Sequence, residues 1–355
     1  MTKDRRWQAP AIAGAAATLL LGLTACGESP QEPTEPGAAP NATVVVTSTN
    51  VWASVVKAVG GDHVEVRPIL IDAAADPHGY EAKPADAVAF DGAKLAVSNG
   101  GGYDDFFTGL ADAAGGDLKR VVAVEAAEGH SHAEEGSAAP TTTAAEESHA
   151  EESHAEESHA GEEGHAEEEG HGEEGHDHAH GENEHIWYDL EAVHSVAESI
   201  ASELSVIDPA NIGAFEANVK AFGEGIDGLV AKAQEIGKAK PGAKVVATEP
   251  VAAYLLETAG LADATPADFA EAVAEESEPS AAARAATEKL LTDKQVVALL
   301  FNEQTATPVT EAVKATAERA GVPVVGVSET LPENATGYLE WMTTQVDSLA
   351  AAVTG

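Results

Sequence analysis

The residues most able to do chemistry crowd into one run, ESHAEESHAEESHAGEEGHAEEEGHGEEGHDHAHGENEH, residues 147–185. It sets imidazoles among carboxylates, a mixture that captures soft-to-borderline divalent cations, since imidazole is mostly neutral at pH 7. The unit EESHA repeats every five residues, so on a helix successive histidines would turn by about 140° and spread around the barrel. No preorganised ligand stripe results. With nothing apolar to bury and many like charges, the run is expected to be disordered. Two readings follow: an inert solvated loop, or a weak multidentate collector working through His149, His154, His159, His165, His171, His176, His178 and His180.

Two further histidines stand in better-defined surroundings. His78 lies in ADPHGYEAKPADAVAF, a Pro/Gly-rich loop ahead of a helix, where a lone histidine is commonly just solvated. His185 in EHIWYDLEAVHS precedes an aromatic pair and a helix, or is simply the last member of the acidic run. Signatures of catalysis are missing. HGENEH matches neither H-E-x-x-H nor H-x-x-E-H, and no nucleophile elbow or P-loop occurs, so the chain is not expected to be an enzyme.

Elements must hold such residues in place, and the rest of the chain can supply them. The 355 residues carry a formal net charge of −42, which excludes nucleic acid and anionic membrane surfaces as electrostatic partners and favours cations. From Thr43, the β-branched runs TVVVTST, HVEVRPIL, AKLAVSNG and KRVVAVEAA alternate with the amphipathic NVWASVVKAVGG and YDDFFTGLADAAGG. That alternation predicts a parallel sheet covered on both faces. Lys and Arg vanish between Arg120 and Lys220, and helical patterning resumes at WYDLEAVHSVAESIASELS, so the acidic run reads as an insertion. Next, Asp208 as N-cap and Pro209 at N1 predict one long helix stopping at Pro241-Gly242. Beyond it AKVVATE, PVAAYLLETAGL, QVVALLFNE, TPVTEAVKATAERAG, VPVVGVSE and TGYLEWMTTQVDSLAAAV repeat the strand-helix alternation. The expected fold is α/β: two Rossmann-like lobes with parallel sheets, 43–206 and 242–355, joined by a long rigid helix over 207–241, with an insertion at about 127–184.

The N-terminus reads as a leader. Lys3, Arg5 and Arg6 precede the apolar AIAGAAATLLLGL, and LTAC follows, so residues 1–25 are expected to be a signal peptide. LTAC resembles the lipobox of bacterial lipoproteins, which implies lipidation of Cys26. That cysteine is the only one, so no disulfide can form within the chain. Residues 26–42, rich in Pro, Glu and small side chains, suit a flexible tether.

Together, DPHGYEAKPAD and HIWYDL resemble two signatures of the zinc/manganese-binding receptors of bacterial metal ABC importers, the cluster A-I solute-binding proteins. The resemblance extends from Thr43 over nearly the whole mature chain. It implies two α/β lobes, a connecting helix, a metal cleft between the lobes, and a His-rich acidic loop as an accessory zinc collector. Its first two metal ligands fall on His78 and His185. Its third falls on Glu249, in ATEPVAAYLLETAGL, where many zinc receptors have histidine and manganese-type relatives glutamate. Its fourth falls on Glu329, in VVGVSETLPE, where aspartate is usual, while Glu303 in LLFNEQTATP also ends an expected strand and is an alternative. Two imidazoles and two carboxylates would balance a divalent cation.

The resemblance thus implies an extracytoplasmic receptor that captures Zn2+ (alternatively Mn2+) and delivers it to an ABC permease and its ATPase. It would be a monomer held at the outer face of the cell membrane, or periplasmic. Carboxylates lean toward manganese, while the divalent affinity order and the His-rich run favour zinc. A metal buffer or chaperone working through the run is the competing reading. An adhesin is another, and a metalloenzyme is disfavoured because four protein ligands leave no open position for water.

Overall fold

The central strands of each sheet form where Val, Leu and Thr bury both faces. In the computed structural model, which describes residues 42–72, 77–128, 183–275 and 277–355, β1 (Thr43–Thr49), β2 (Val64–Leu70), β3 (Leu95–Ser98) and β4 (Lys119–Val122) make one parallel sheet in the order β2-β1-β3-β4. A second parallel sheet has the order β6-β5-β7-β8, from β5 (Lys244–Ala247), β6 (Ala262–Asp263), β7 (Ala298–Asn302) and β8 (Val324–Val327). All pairings are parallel, with Thr43 opposite Val64, Val45 opposite Leu95, Val245 opposite Ala298 and Asn302 opposite Val327. The expected α/β class with two parallel sheets is the observed one.

Successive strand residues point to opposite faces, and the cores follow that alternation. Val45 and Val97 of the first sheet and Val245 and Leu300 of the second share one hydrophobic cluster. Their neighbours Val46 and Ala96 face a separate cluster with Phe90 and Phe107, and Val246 and Leu299 face another with Phe269 and Leu291. The shared cluster is continued by Phe215, Phe222, Ile226, Leu229, Ala233 and Ile236 on the helix Ile212–Ala239. One helix stripe therefore packs with the inner faces of both sheets.

That helix begins later than the sequence suggests. Pro209–Asn211 form a 3-10 turn, and the Asp208 carboxylate accepts from the Asn211 side-chain amide at 2.6 Å instead of from a backbone N–H of a first helical turn. The α-helix runs from Ile212 to Ala239 and ends before Pro241, as an imino acid without an N–H requires. The preceding helix, Leu190–Ile207, is capped by Asp189, whose carboxylate accepts from the N–H groups of Glu191 and Ala192 at 3.1 and 3.0 Å. That cap fixes where the aromatic segment 186–188 leaves the site.

Candidate metal centre

Open parallel sheets bind ligands beyond their strand C-termini. His78 lies in the loop after β2, within a turn closed by Tyr80 N–H donating to Pro77 O at 3.2 Å. The loop is anchored by Asp86, whose carboxylate accepts from Tyr80 Oη at 2.9 Å and Lys83 N at 2.7 Å. His185 ends the segment before a 3-10 turn, Ile186–Tyr188, and only 5 % of it is exposed. Its ring packs against Trp187 at 5.2 Å between centroids, and Tyr103 lies edge-on to His78 at 5.0 Å. Both imidazoles are thus held by buried aromatics.

Glu329 comes from the loop after β8 and is 1 % exposed. His78, His185 and Glu329 each offer one ligand atom, and these atoms lie within 4.8 Å of one another. His78 Nε2 is 3.6 Å from Glu329 Oε2. Ligand bonds of about 2.0–2.1 Å put the edges of a coordination tetrahedron at about 3.4 Å, so a shift of about 1 Å brings the three onto one ion. Two imidazole nitrogens and a buried carboxylate suit a borderline divalent cation, with His185 and Glu329 buried and His78 on the solvent side. The donor set fits such an ion.

The protonation state of His185 follows from its partners. Asn183 Oδ1 receives the backbone N–H of His185 at 3.2 Å, which fixes that atom as the acceptor oxygen of the amide. The same oxygen lies 2.6 Å from His185 Nδ1, so Nδ1 carries the proton and Nε2 keeps its lone pair for a cation. Burial, and secondarily the charge of a protonated His78, pushes the pKa of His185 down to about 3. No proton needs to leave Nε2 before an ion binds at neutral pH.

Glu249 and Glu303 stand outside this trio. Glu249 follows β5, and its Oε2 accepts from Asn302 Nδ2 at 2.8 Å while Oε1 accepts from the Thr305 hydroxyl. Asn302 Nδ2 also donates to Glu329 Oε1 at 2.8 Å, so one buried amide links both carboxylates. Glu303 is exposed, with its carboxylate beside Gly326 of β8. Cys26 and the histidines His149, His154, His159, His165, His171, His176, His178 and His180 lie outside the described residues.

Four contributors escape sequence reading. Asn302 bridges the acids, and Asn183 sets the tautomer of His185. Glu184 places Oε1 3.7 Å from His78 Nε2. Tyr103, 2 % exposed, is pushed well above its ordinary pKa by burial and by the negative charge of Glu329, so it remains a neutral phenol. The signal for Asn302 was available: strand alternation sends Asn302 and Glu303 to opposite sides, and only one can face the site.

Comparison with known proteins gives the family and the fold. A family model described as ZnuA, zinc-uptake complex component A, periplasmic, matches residues 45–352. Among solved structures, the periplasmic zinc binding protein TroA from Treponema pallidum is similar at 17 % identity and a TM-score of 0.63, covering 88 % of this chain and 100 % of that one. A crystal structure of ZnuA gives 21 % identity and a TM-score of 0.63, covering 88 % and 99 %. The SBP FpvC from Pseudomonas aeruginosa, in complex with Mn2+, gives 20 % identity and a TM-score of 0.60, covering 88 % and 98 %. At these identities the solved structures share the fold.

Proposed function

Because the chain belongs to the family of periplasmic zinc-uptake complex component A, we propose that it is an extracytoplasmic receptor that binds one Zn2+ and passes it to an ABC permease for uptake. The observation that carries this reading is the convergence of His78, His185 and Glu329, with ligand atoms within 4.8 Å, at the C-terminal ends of two parallel sheets. His78 and His185 come from the N-terminal lobe, 43–206, and Glu329 from the C-terminal lobe, 242–355, so the ion bridges a cleft. Glu249 supports Glu329 through Asn302. Its two oxygens accept from Asn302 and Thr305, and each carboxylate oxygen has two lone pairs, so Glu249 is the fourth candidate ligand.

Zinc is favoured over manganese by the donor set. Two imidazoles and a single buried carboxylate are softer than the oxygen-rich shells that suit manganese, and zinc stands above manganese in intrinsic affinity. The His-rich run then acts as an accessory collector that raises the local zinc concentration. The LTAC leader supports anchoring through a lipid on Cys26 at the outer face of the membrane, and the chain works there as a monomer.

Chelator competition on the soluble mature protein, with and without residues 129–182 and with His78→Ala, tests the reading. One tight zinc site that survives the deletion and disappears with His78→Ala supports the receptor. Loss of tight binding with the deletion supports a buffer working through the run and overturns the cleft assignment.

A further inference from the structure

The segment that delivers His185 is joined to the second lobe by hydrogen bonds between residues of different burial. Two ties start from tyrosines that are themselves fully buried: Tyr338 Oη donates to Trp187 O at 2.7 Å, and Tyr188 Oη donates to Ser328 O, on a half-buried residue, at 3.0 Å. A third lies upstream of the histidine and is only half-buried. There Asn183 Nδ2 donates to Pro250 O at 2.8 Å, and Tyr254 Oη donates to Asn183 O at 2.8 Å. Pro250 directly follows Glu249, so the loops of both candidate acids contact the segment that carries the imidazole.

Asn183 has each polar group of its side chain and its carbonyl in use. Its oxygen serves His185, by backbone N–H and by ring Nδ1, while its NH2 and carbonyl serve Pro250 and Tyr254. Only an amide can do both jobs with its side chain. A carboxylate could accept from the ring but could not donate to the Pro250 carbonyl, and a hydroxyl would span one partner at a time. We propose that Asn183 is a positioning residue that couples the tautomer of His185 to contact between the two lobes, so that loosening the Pro250/Tyr254 side also loosens the hold of His185 on the ion. This rests on the receptor reading above.

The physical basis is the difference in burial. Opening at Tyr188 or Tyr338 strips a fully buried phenol of its partner, whereas Asn183, Pro250 and Tyr254 are all half-buried residues whose bonds water can replace at smaller cost. Release therefore begins at Asn183. Once its amide turns away, the ring Nδ1–H has lost its acceptor, and a metal-bound imidazole without that outer partner binds more weakly. A permease that engages the rim of the cleft would need only this local step, with no wide separation of the lobes.

Zinc dissociation from the full mature chain into excess chelator, in wild type, Asn183→Ala, Tyr254→Phe and the double variant, tests the coupling together with 15N NMR of His185 in the metal-free protein. Wild type should show the Nδ1–H tautomer. Asn183→Ala should mix the tautomers and speed release from the tight site about tenfold to a hundredfold. Tyr254→Phe should keep the tautomer and speed release about fivefold, and the double variant should release no faster than Asn183→Ala. Multiplying rather than saturating effects, an unchanged rate in both single variants, or an Nε2–H wild-type tautomer would each overturn the proposal. Tyr254→Phe removes one hydroxyl and reads the cross-lobe half should Asn183→Ala not fold. If wild type binds no zinc the receptor reading fails, and the tautomers of wild type and Asn183→Ala still decide whether Asn183 sets His185.

Discussion

Asn302 Nδ2 lies 2.8 Å from Glu329 Oε1, and the same nitrogen lies 2.8 Å from Glu249 Oε2. The amide itself is held, since Gln304 N–H donates to Asn302 Oδ1 at 3.1 Å and the Thr248 hydroxyl meets Asn302 N at 3.1 Å. Its two hydrogens therefore keep two carboxylates at a set spacing, and that spacing positions the only carboxylate of the candidate trio.

Asn302→Ala removes both bonds and leaves Glu329 buried with one fewer donor. A lost hydrogen bond to a charged buried group costs about 1.5–3 kcal/mol, and zinc affinity should fall about tenfold to a hundredfold. Thermal unfolding and chelator competition measure the two effects. A variant with unchanged affinity would show that Glu329 needs no orienting partner.

Glu329→Gln and Glu249→Gln should differ. The first removes the charge within reach of both imidazoles and should cost at least about a hundredfold in zinc affinity. The second acts through Asn302 and Thr305 and should cost about tenfold. Equal losses in calorimetric titrations would place Glu249 in direct contact with the ion.

Much of this was legible in the sequence, for physical reasons particular to each residue. Val45/Val46 and Val245/Val246 sit in β-branched runs buried on both faces, so the strands announce themselves. His78 and His185 stand beside Pro/Gly and aromatic residues that mark them off from ordinary surface histidines. Residues 262–292 are less readable: β6 is two residues long, and the helices Ala267–Ala274 and Ala281–Thr292 are dominated by alanine, whose small side chain gives little periodic contrast. Glu329 could be reached only by resemblance. Asn183 ends a polar run whose composition hides it, and its role depends on Pro250 and Tyr254, some seventy positions away.

Tyr188→Phe tests how firmly the two loops are joined. The Tyr188 hydroxyl donates to Ser328 O at 3.0 Å and accepts from Ser328 N at 3.3 Å, linking a fully buried side chain to a half-buried residue. Deleting it leaves two backbone groups of Ser328 without that partner, at a cost of about 1–3 kcal/mol. Ser328 precedes Glu329, so zinc affinity should also weaken, about threefold to tenfold. Denaturant unfolding combined with zinc titration reads both, and stability lost without any change in affinity would uncouple Tyr188 from the site.

His185 makes the metal-free protein sensitive to acid. In the unfolded chain a histidine titrates near pH 6.5, whereas burial holds this one at about 3 in the folded state. Between those values the unfolded chain binds a proton that the folded protein does not. The contribution of His185 is therefore complete above pH 6.5 and is lost as pH falls toward 3. From pH 7 to pH 5 the loss amounts to about 2 kcal/mol from this residue alone. His185→Gln keeps a polar side chain near Asn183 but cannot take up the proton, so its stability should decline less over the same interval. Denaturant unfolding of both metal-free proteins at pH 7 and pH 5 isolates the difference, because the other titrating groups are common to the two. Parallel declines would mean that His185 is protonated in the folded protein, and its Nε2 would then have to lose a proton before it could hold a cation.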